Sequence, residues 1–228
     1  MIYLDHAAAT PMDPLVLSAM MPYFSDQFFN PSSPYAPAVM VKRDYRQAKA
    51  RIAQVLGVGA DELVMTAGAT ESVNLAFQAA GEGSCLVSSI EHASVLKASG
   101  LHREPVLVQP DHKGRISPEA VKVALTPEVS FVSIALANHE LGYVQPIEEI
   151  ARVLDVERER RRVAGEKMPL VFHTDASQVA ALVDVKCKRL GVDLMTLSAA
   201  KVYGPKQVGL LWVRPGDRKS TRLNSSHW

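Results

Sequence analysis

Long apolar runs are missing from this chain of 228 residues, so it offers no candidate membrane span. Charge of one sign is missing too. The formal net charge is +1, which gives no reason to expect nucleic acid or an anionic membrane as a partner. Only two cysteines occur, Cys85 and Cys187; they make no disulfide framework, and a reducing, cytoplasmic setting is expected. The first residues carry Asp5 and His6 where a signal peptide would need a basic and then an apolar stretch, so none is expected. No internal repeat is visible. No Gly-x-Gly-x-x-Gly follows the first expected strand, which disfavours a dinucleotide site. His6, His102, His112 and His173 lack metal-ligand spacing, so no metal is expected.

What is present describes a globular chain with a substantial core: 47% hydrophobic and 21% charged residues. Residues 1–12 read as an extended lead-in. Asp13 and Pro14 read as N-cap and first residue of a helix carrying Leu15, Val16, Leu17, Met20 and Met21. Residues 30–37 form a proline-rich loop, and residues 39–56 have helical periodicity that stops at Gly57. Strands are expected at 63–66, 85–88, 106–108, 130–135, 170–173, 194–197 and 209–213. Helices are expected at 69–80, 94–101, 117–124, 147–162 and 177–190. Short apolar strands alternating with helices imply an α/β fold, a mostly parallel seven-stranded sheet sandwiched by helices. Binding groups should then gather at strand C-terminal ends. The charged run Glu157 to Arg162 ends a helix, where basic residues suit the helix dipole, and reads as a solvated face.

The chemistry is concentrated in three stretches. Lys201 follows an apolar run (Val192, Leu194, Met195, Leu197) and precedes a Tyr203-Gly204-Pro205 turn. A lysine at a buried strand end loses hydration, which lowers its pKa and frees its amine to form a Schiff base. Val171 to Asp175 is an apolar strand ending in a carboxylate, and Gly68 to Ser72 is a small-residue turn opening a helix, a natural phosphate seat. Amine, carboxylate and anion seat are what pyridoxal phosphate needs.

Leu4-Asp5-His6-Ala7-Ala8-Ala9-Thr10, Asn30-Pro31-Ser32-Ser33, Gly68-Ala69-Thr70-Glu71-Ser72, Glu91-His92, Glu140-Leu141-Gly142, Asp175-Ala176-Ser177-Gln178 and Ser198 to Lys206 occur in that order. Together they closely resemble the cysteine desulfurases of the class-V aminotransferase group. The resemblance covers residues 1 to about 216. It implies a pyridoxal-phosphate enzyme of the transferase-like large-domain fold that converts L-cysteine to L-alanine. Sulfur would pass to an enzyme persulfide for iron–sulfur or thio-cofactor assembly, in a homodimer serving a sulfur-acceptor or scaffold protein. It implies Lys201, not Lys206, as the Schiff-base lysine, Asp175 as partner of the pyridine nitrogen, and Gln178 on the phenolic oxygen. His92 would stack on the ring, and Ala69, Thr70 and Ser198 would hold the phosphate. Relatives carry asparagine pairs where this chain has Asn138 and His139, so a cofactor contact is assigned to these two positions. Ala200 stands where histidine is usual, and Gln207 where glycine is common.

Residues 13–216 therefore read as a cofactor-binding large domain. Relatives continue into a small C-terminal domain carrying the nucleophilic cysteine and a substrate-binding arginine. The resemblance implies that these are missing here and that the chain alone is not a competent desulfurase. Residues 217–228 are a polar tail, of which Asp217 to His227 resembles a translated sequencing adapter. Two alternatives stay open. One is a sister enzyme on the same scaffold (selenocysteine lyase, kynureninase-like hydrolase or aminotransferase). The other is a non-catalytic paralogue acting as a binding subunit.

Overall fold

The computed structural model describes residues 2–216; the expected adapter-like tail lies outside them. Seven strands form one sheet in the order β1-β7-β6-β5-β4-β2-β3. They are β1 Leu63–Thr66, β2 Ser84–Ser88, β3 Pro105–Val108, β4 Val129–Ser133, β5 Val171–Asp175, β6 Leu194–Ser198 and β7 Gly209–Val213. All neighbouring pairs are parallel except those made by β7, which runs antiparallel to both β1 and β6.

The strands read as apolar runs because both faces are covered. Successive side chains point to opposite faces. Leu86, Val132, Phe172 and Met195 join one core with Ile147, Ile150 and Leu154 of helix α7 (Ile147–Val163). Cys85, Val87, Phe131 and Leu194 join the other with Val73, Ala76 and Phe77 of α4 (Ala69–Ala79) and Val95 and Ala98 of α5 (Ala93–His102). Fully burying a side chain such as Phe131 or Leu86 contributes about 1.5–3 kcal/mol. The two-sided core fixes where each strand ends, and the site is built on those ends.

Helix α1 (Pro14–Met20) starts as its sequence requires: the Asp13 carboxylate accepts the Leu15 amide at 2.7 Å, with Pro14 in the first turn. Four-residue α2 (Pro22–Ser25) follows at once. Helix α3 (Ala36–Leu56) ends on Gly57 in the left-handed conformation. Of its 21 residues only Ala38, Ala53 and Leu56 are buried, while Val39, Met40, Tyr45 and Val55 face outward. Among the described residues nothing covers that apolar face.

One expected helix is not there. Residues 177–190 contain only the short α8 (Cys187–Leu190). Residues 177–183 instead form turns, with Leu182 and Val183 amides donating to Val179 O. Asp184 then takes the Lys186 amide on its own side chain at 3.2 Å, which competes with helix continuation. The apolar spacing there serves a packed turn.

Candidate active site

Strand β5 delivers Asp175 and β6 delivers Ser198 to the same end of the sheet. A single 3-10 turn, Ala199–Lys201, then folds Lys201 back across these ends. Loops after β2 and β4 bring up Ile90, His92, Ala135 and His139, and the start of α4 brings Ala69. These groups line one cavity with Ala137, Ser177 and Gln178. Of the residues expected at the site, only Thr70 and Asn138 are absent from the lining. Thr70 is exposed in the first turn of α4. The wider hollow between Leu107, Ser117 and Val123 gathers no comparable set of ionisable groups. In the one lined by Glu148, Glu149, Arg152, Asp184 and Arg189, Arg189 is spent on surface salt bridges with Glu148 and Asp184.

The turn before α4 needs glycine twice. Gly68 has φ +141°, and a Cβ on Gly209 would stand 2.6 Å from the Gly68 carbonyl carbon. Strand β7 thus packs directly under the turn that presents α4. No side chain caps that helix start. The Ala69 and Thr70 amides therefore remain available at the positive end of the helix dipole, where an anion is favoured.

Lys201 Nζ donates to the backbone oxygens of Ala7 and Ala8 at 2.6 and 2.7 Å. Gln178 Nε2 reaches the same Ala7 oxygen at 3.2 Å. The amino-terminal segment lies across the site as a strap. Thr10 donates through both its amide and its hydroxyl to Ala200 O, at 3.1 and 3.0 Å. Lys206 Nζ is spent on Thr10 O at 2.5 Å, outside the cavity. Burial holds the Lys201 amine below the ordinary lysine range, opposed by the charges of Asp175 and Asp5. Burial raises the Asp175 carboxyl, opposed by its contacts with Ser177 and by the charges of His92 and Lys201. Asp175 Oδ1 also accepts the Ser177 amide at 2.9 Å.

His92 caps α5: its Nδ1 accepts the Ser94 amide at 3.1 Å and meets the Ser94 hydroxyl at 2.7 Å. In the neutral ring the proton is therefore on Nε2. The His139 ring centroid lies 5.7 Å away. Asn138 is used elsewhere, bracing the loop that carries His139. Its Nδ2 donates to Ile90 O at 2.6 Å, and its Oδ1 accepts the Glu140 and Leu141 amides. Glu91 completes the brace by accepting the Ala135 amide at 2.7 Å. Its carboxyl is pushed up to about 8, first by burial and then by the Asp175 charge, with the Ala135 amide opposing.

A family model described as aminotransferase class-V matches residues 2–222. The chain belongs to the class-V aminotransferase family. Among curated relatives, it is 40% identical to the cysteine desulfurase IscS of Anaeromyxobacter dehalogenans, over 93% of this chain and 53% of that protein. It is 35% identical to cysteine desulfurase IscS 1 of Archaeoglobus fulgidus, over 96% and 56%. The chain spans about half the length of the curated relatives it matches. The solved structure of SspA in complex with cysteine superposes with a TM-score of 0.84 at 36% identity, covering 93% of this chain and 61% of that one. A NifS-like protein from Rickettsia africae gives 0.83 at 27%, covering 93% and 58%.

Class-V aminotransferases are pyridoxal-phosphate enzymes, and the residues present fit that cofactor. A desolvated amine, a buried carboxyl that gains from a cation, and uncapped helix amides face one cavity. Ala200, where the resemblance leads one to expect histidine, brings no side-chain donor to this arrangement. Gln207, where glycine is common, has φ 56°, which explains that preference: a glycine adopts this backbone without strain.

Two features of the site had no side-chain signal or a faint one. The Ala7 and Ala8 carbonyls are backbone groups that any sequence would carry. Ser177 sits inside the Asp175 to Gln178 motif, and only its position beside two expected ligands pointed to it.

Proposed function

We propose that the chain forms the cofactor-binding part of a pyridoxal-phosphate-dependent cysteine desulfurase. The supporting observation is the convergence of Lys201, Asp175, Gln178, His92 and the start of α4 on one cavity. Bound there, pyridoxal phosphate supplies an aldehyde that condenses with amines and a ring that withdraws electrons from the substrate. Lys201 provides the attacking amine, in the neutral form that burial favours. Asp175 would hold the ring nitrogen protonated, and Gln178, whose amide reaches Ala7 O here, would hold the phenolic oxygen. The Ala69 and Thr70 amides and the Ser198 hydroxyl would hold the phosphate. His92, with its neutral-ring proton on Nε2, would stack on the cofactor ring, and His139 would line the cavity beside it. L-Cysteine is the proposed substrate and L-alanine the product.

The sulfur-accepting thiol is neither of the two cysteines here. Cys85 and Cys187 are fully buried, and burial pushes their thiols up to about 11 and about 12. The thiolate is the nucleophile, so both are inert in the folded state. Neither should react with a thiol reagent at pH 8 until the chain is unfolded, when both should. Rapid labelling of the folded chain at either position would show this reading of the thiols to be wrong. A persulfide-forming cysteine is accordingly assigned to a segment other than residues 2–216, as is sulfur transfer to an acceptor protein. The outward apolar face of α3, with Leu15 of α1 and Phe24 of α2, supports a homodimeric assembly of the whole enzyme.

The proposal is tested by mixing the purified chain with pyridoxal phosphate, reducing with borohydride and mapping the adduct by mass spectrometry. The expected result is one phosphopyridoxyl group on Lys201. An adduct on Lys206, or scattered over surface lysines, would sink the proposal.

A further inference from the structure

One hydroxyl at this end of the sheet is left over. The buried hydroxyls of the neighbouring strands are all engaged. Thr174 donates to Ile134 O at 2.7 Å, and His173 meets Ser133 at 2.8 Å and Thr196 at 3.0 Å. Ser177 differs. It is 5% exposed, it lines the cavity beside Asp175 and Gln178, and its Oγ is aligned with no hydrogen-bond partner although it lies close enough to Asp175 to favour that carboxylate. Native proteins rarely bury a hydroxyl without a use for it. Its own amide already donates to Asp175 Oδ1, so the hydroxyl is attached to a backbone fixed against that carboxylate.

We infer that Ser177 is a positioning residue for Asp175: its hydroxyl turns onto the carboxylate when a protonated ring nitrogen faces Asp175, and holds the carboxylate ionised. This rests on the cofactor reading above. A carboxylate at a desolvated strand end resists ionisation, and hydrogen bonds to its charged form oppose that resistance. Of the charged groups around it, Lys201 and His92 favour the ionised form, while a carboxylate at Glu91 opposes it. Lys201 and Glu91 change charge with pH. A hydroxyl rotor does not, and it can reorient to the acceptor that needs it. A charge-assisted bond from Ser177 would therefore keep Asp175 available to the ring over a wider pH range.

The test uses the full chain with pyridoxal phosphate as the probe, its affinity followed by visible absorbance from pH 5 to pH 9. Affinity falls on the acid side as Asp175 takes up a proton and loses the ring cation. Removing the hydroxyl raises the Asp175 pKa, so that acid limb moves to higher pH. Ser177→Ala is expected to weaken binding about tenfold near pH 7, with the acid limb displaced upward; Ser177→Thr is expected to restore both. Wild-type affinity and acid limb in Ser177→Ala would overturn the inference. So would a weakening of equal size at every pH, which would mean that the hydroxyl contacts the ring and not Asp175. If Ser177→Ala does not fold, Ser177→Cys keeps the volume with a poor donor and is judged by the same outcomes. Asp175→Asn is the control: it should bind weakly with no acid limb. Wild-type binding by Asp175→Asn would instead defeat the cofactor reading itself.

Discussion

Lys201→Ala is expected to abolish covalent capture of pyridoxal phosphate and to weaken its retention by about 100-fold or more, on the order of 3 kcal/mol. The absorbance of the lysine-linked cofactor should vanish, leaving the spectrum of the free aldehyde. Lys201→Arg should behave the same way, because a guanidinium stays protonated and cannot attack a carbonyl. The pH dependence in the wild type follows from the sign of the lysine shift. Only the neutral amine reacts, so capture quickens as pH rises through the Lys201 pKa, which burial sets below the ordinary lysine range. The Ala7 and Ala8 carbonyls pull in the other direction, since both accept hydrogen bonds that an ammonium makes best. Survival of the linked-cofactor spectrum in Lys201→Ala would remove the central residue from the proposed function.

The strands were legible because each is apolar for a physical reason that leaves a mark in the sequence. Both faces are buried except at the edge strand β3, whose Leu107 is exposed, so periodicity collapses into short apolar runs bounded by polar turns. Leu63–Thr66 and Gly209–Val213 match the sequence reading at both ends. The failure at 177–190 has an equally physical origin: a packed turn buries Val179 and Val185 on one side much as a helix would. Periodicity cannot separate the two, and only the side chain of Asp184 competing for the backbone shows which one forms.

The site was legible to the extent that it is made of unusual side chains at strand ends. Lys201, Asp175, Gln178, His92 and Ser198 all line the cavity. Asn138 was assigned to the cofactor from its motif, and here its side chain braces the loop that presents His139. An asparagine supplies the same donor and acceptors to a ligand or to a backbone, so its type alone does not choose between them. The strap over Lys201 lay beyond sequence reading altogether. It depends on two carbonyls brought across a separation of 194 and 193 residues.

Arg103→Met should be the most destabilising single change outside the site, costing about 3–5 kcal/mol. Arg103 is 9% exposed and, among the described residues, has no carboxylate partner in a salt bridge. Its guanidinium answers the carbonyls of an exposed turn together with two buried acceptors, Phe77 O and Ser130 Oγ. Nη1 donates to Gly83 O at 3.1 Å and to Ser130 Oγ at 2.6 Å. Nη2 donates to Gly81 O and to Phe77 O, the latter at 3.3 Å. The cation also sits 5.5 Å from the Phe131 ring centroid. One side chain thus joins the C-terminal end of α4, the turn into β2 and the start of β4. Removing it strands the two buried acceptors, Phe77 O and Ser130 Oγ, and each unpaired buried group costs about 1–3 kcal/mol. For a chain of this size the loss corresponds to a fall of about 10 °C in melting temperature. Arg103→Lys should recover only part of it, because an ammonium cannot span acceptors on both sides of the turn. Urea unfolding of the two variants measures the effect, and a cost below about 1 kcal/mol for Arg103→Met would mean that the carbonyls find other donors. The same geometry couples stability to the site. Helix α4 is about 16 Å long, clamped at its far end by Arg103 and presenting its first amides to the cavity at the other. Arg103→Met should therefore lose affinity for pyridoxal phosphate as the temperature approaches its lowered melting point, while binding normally in the cold.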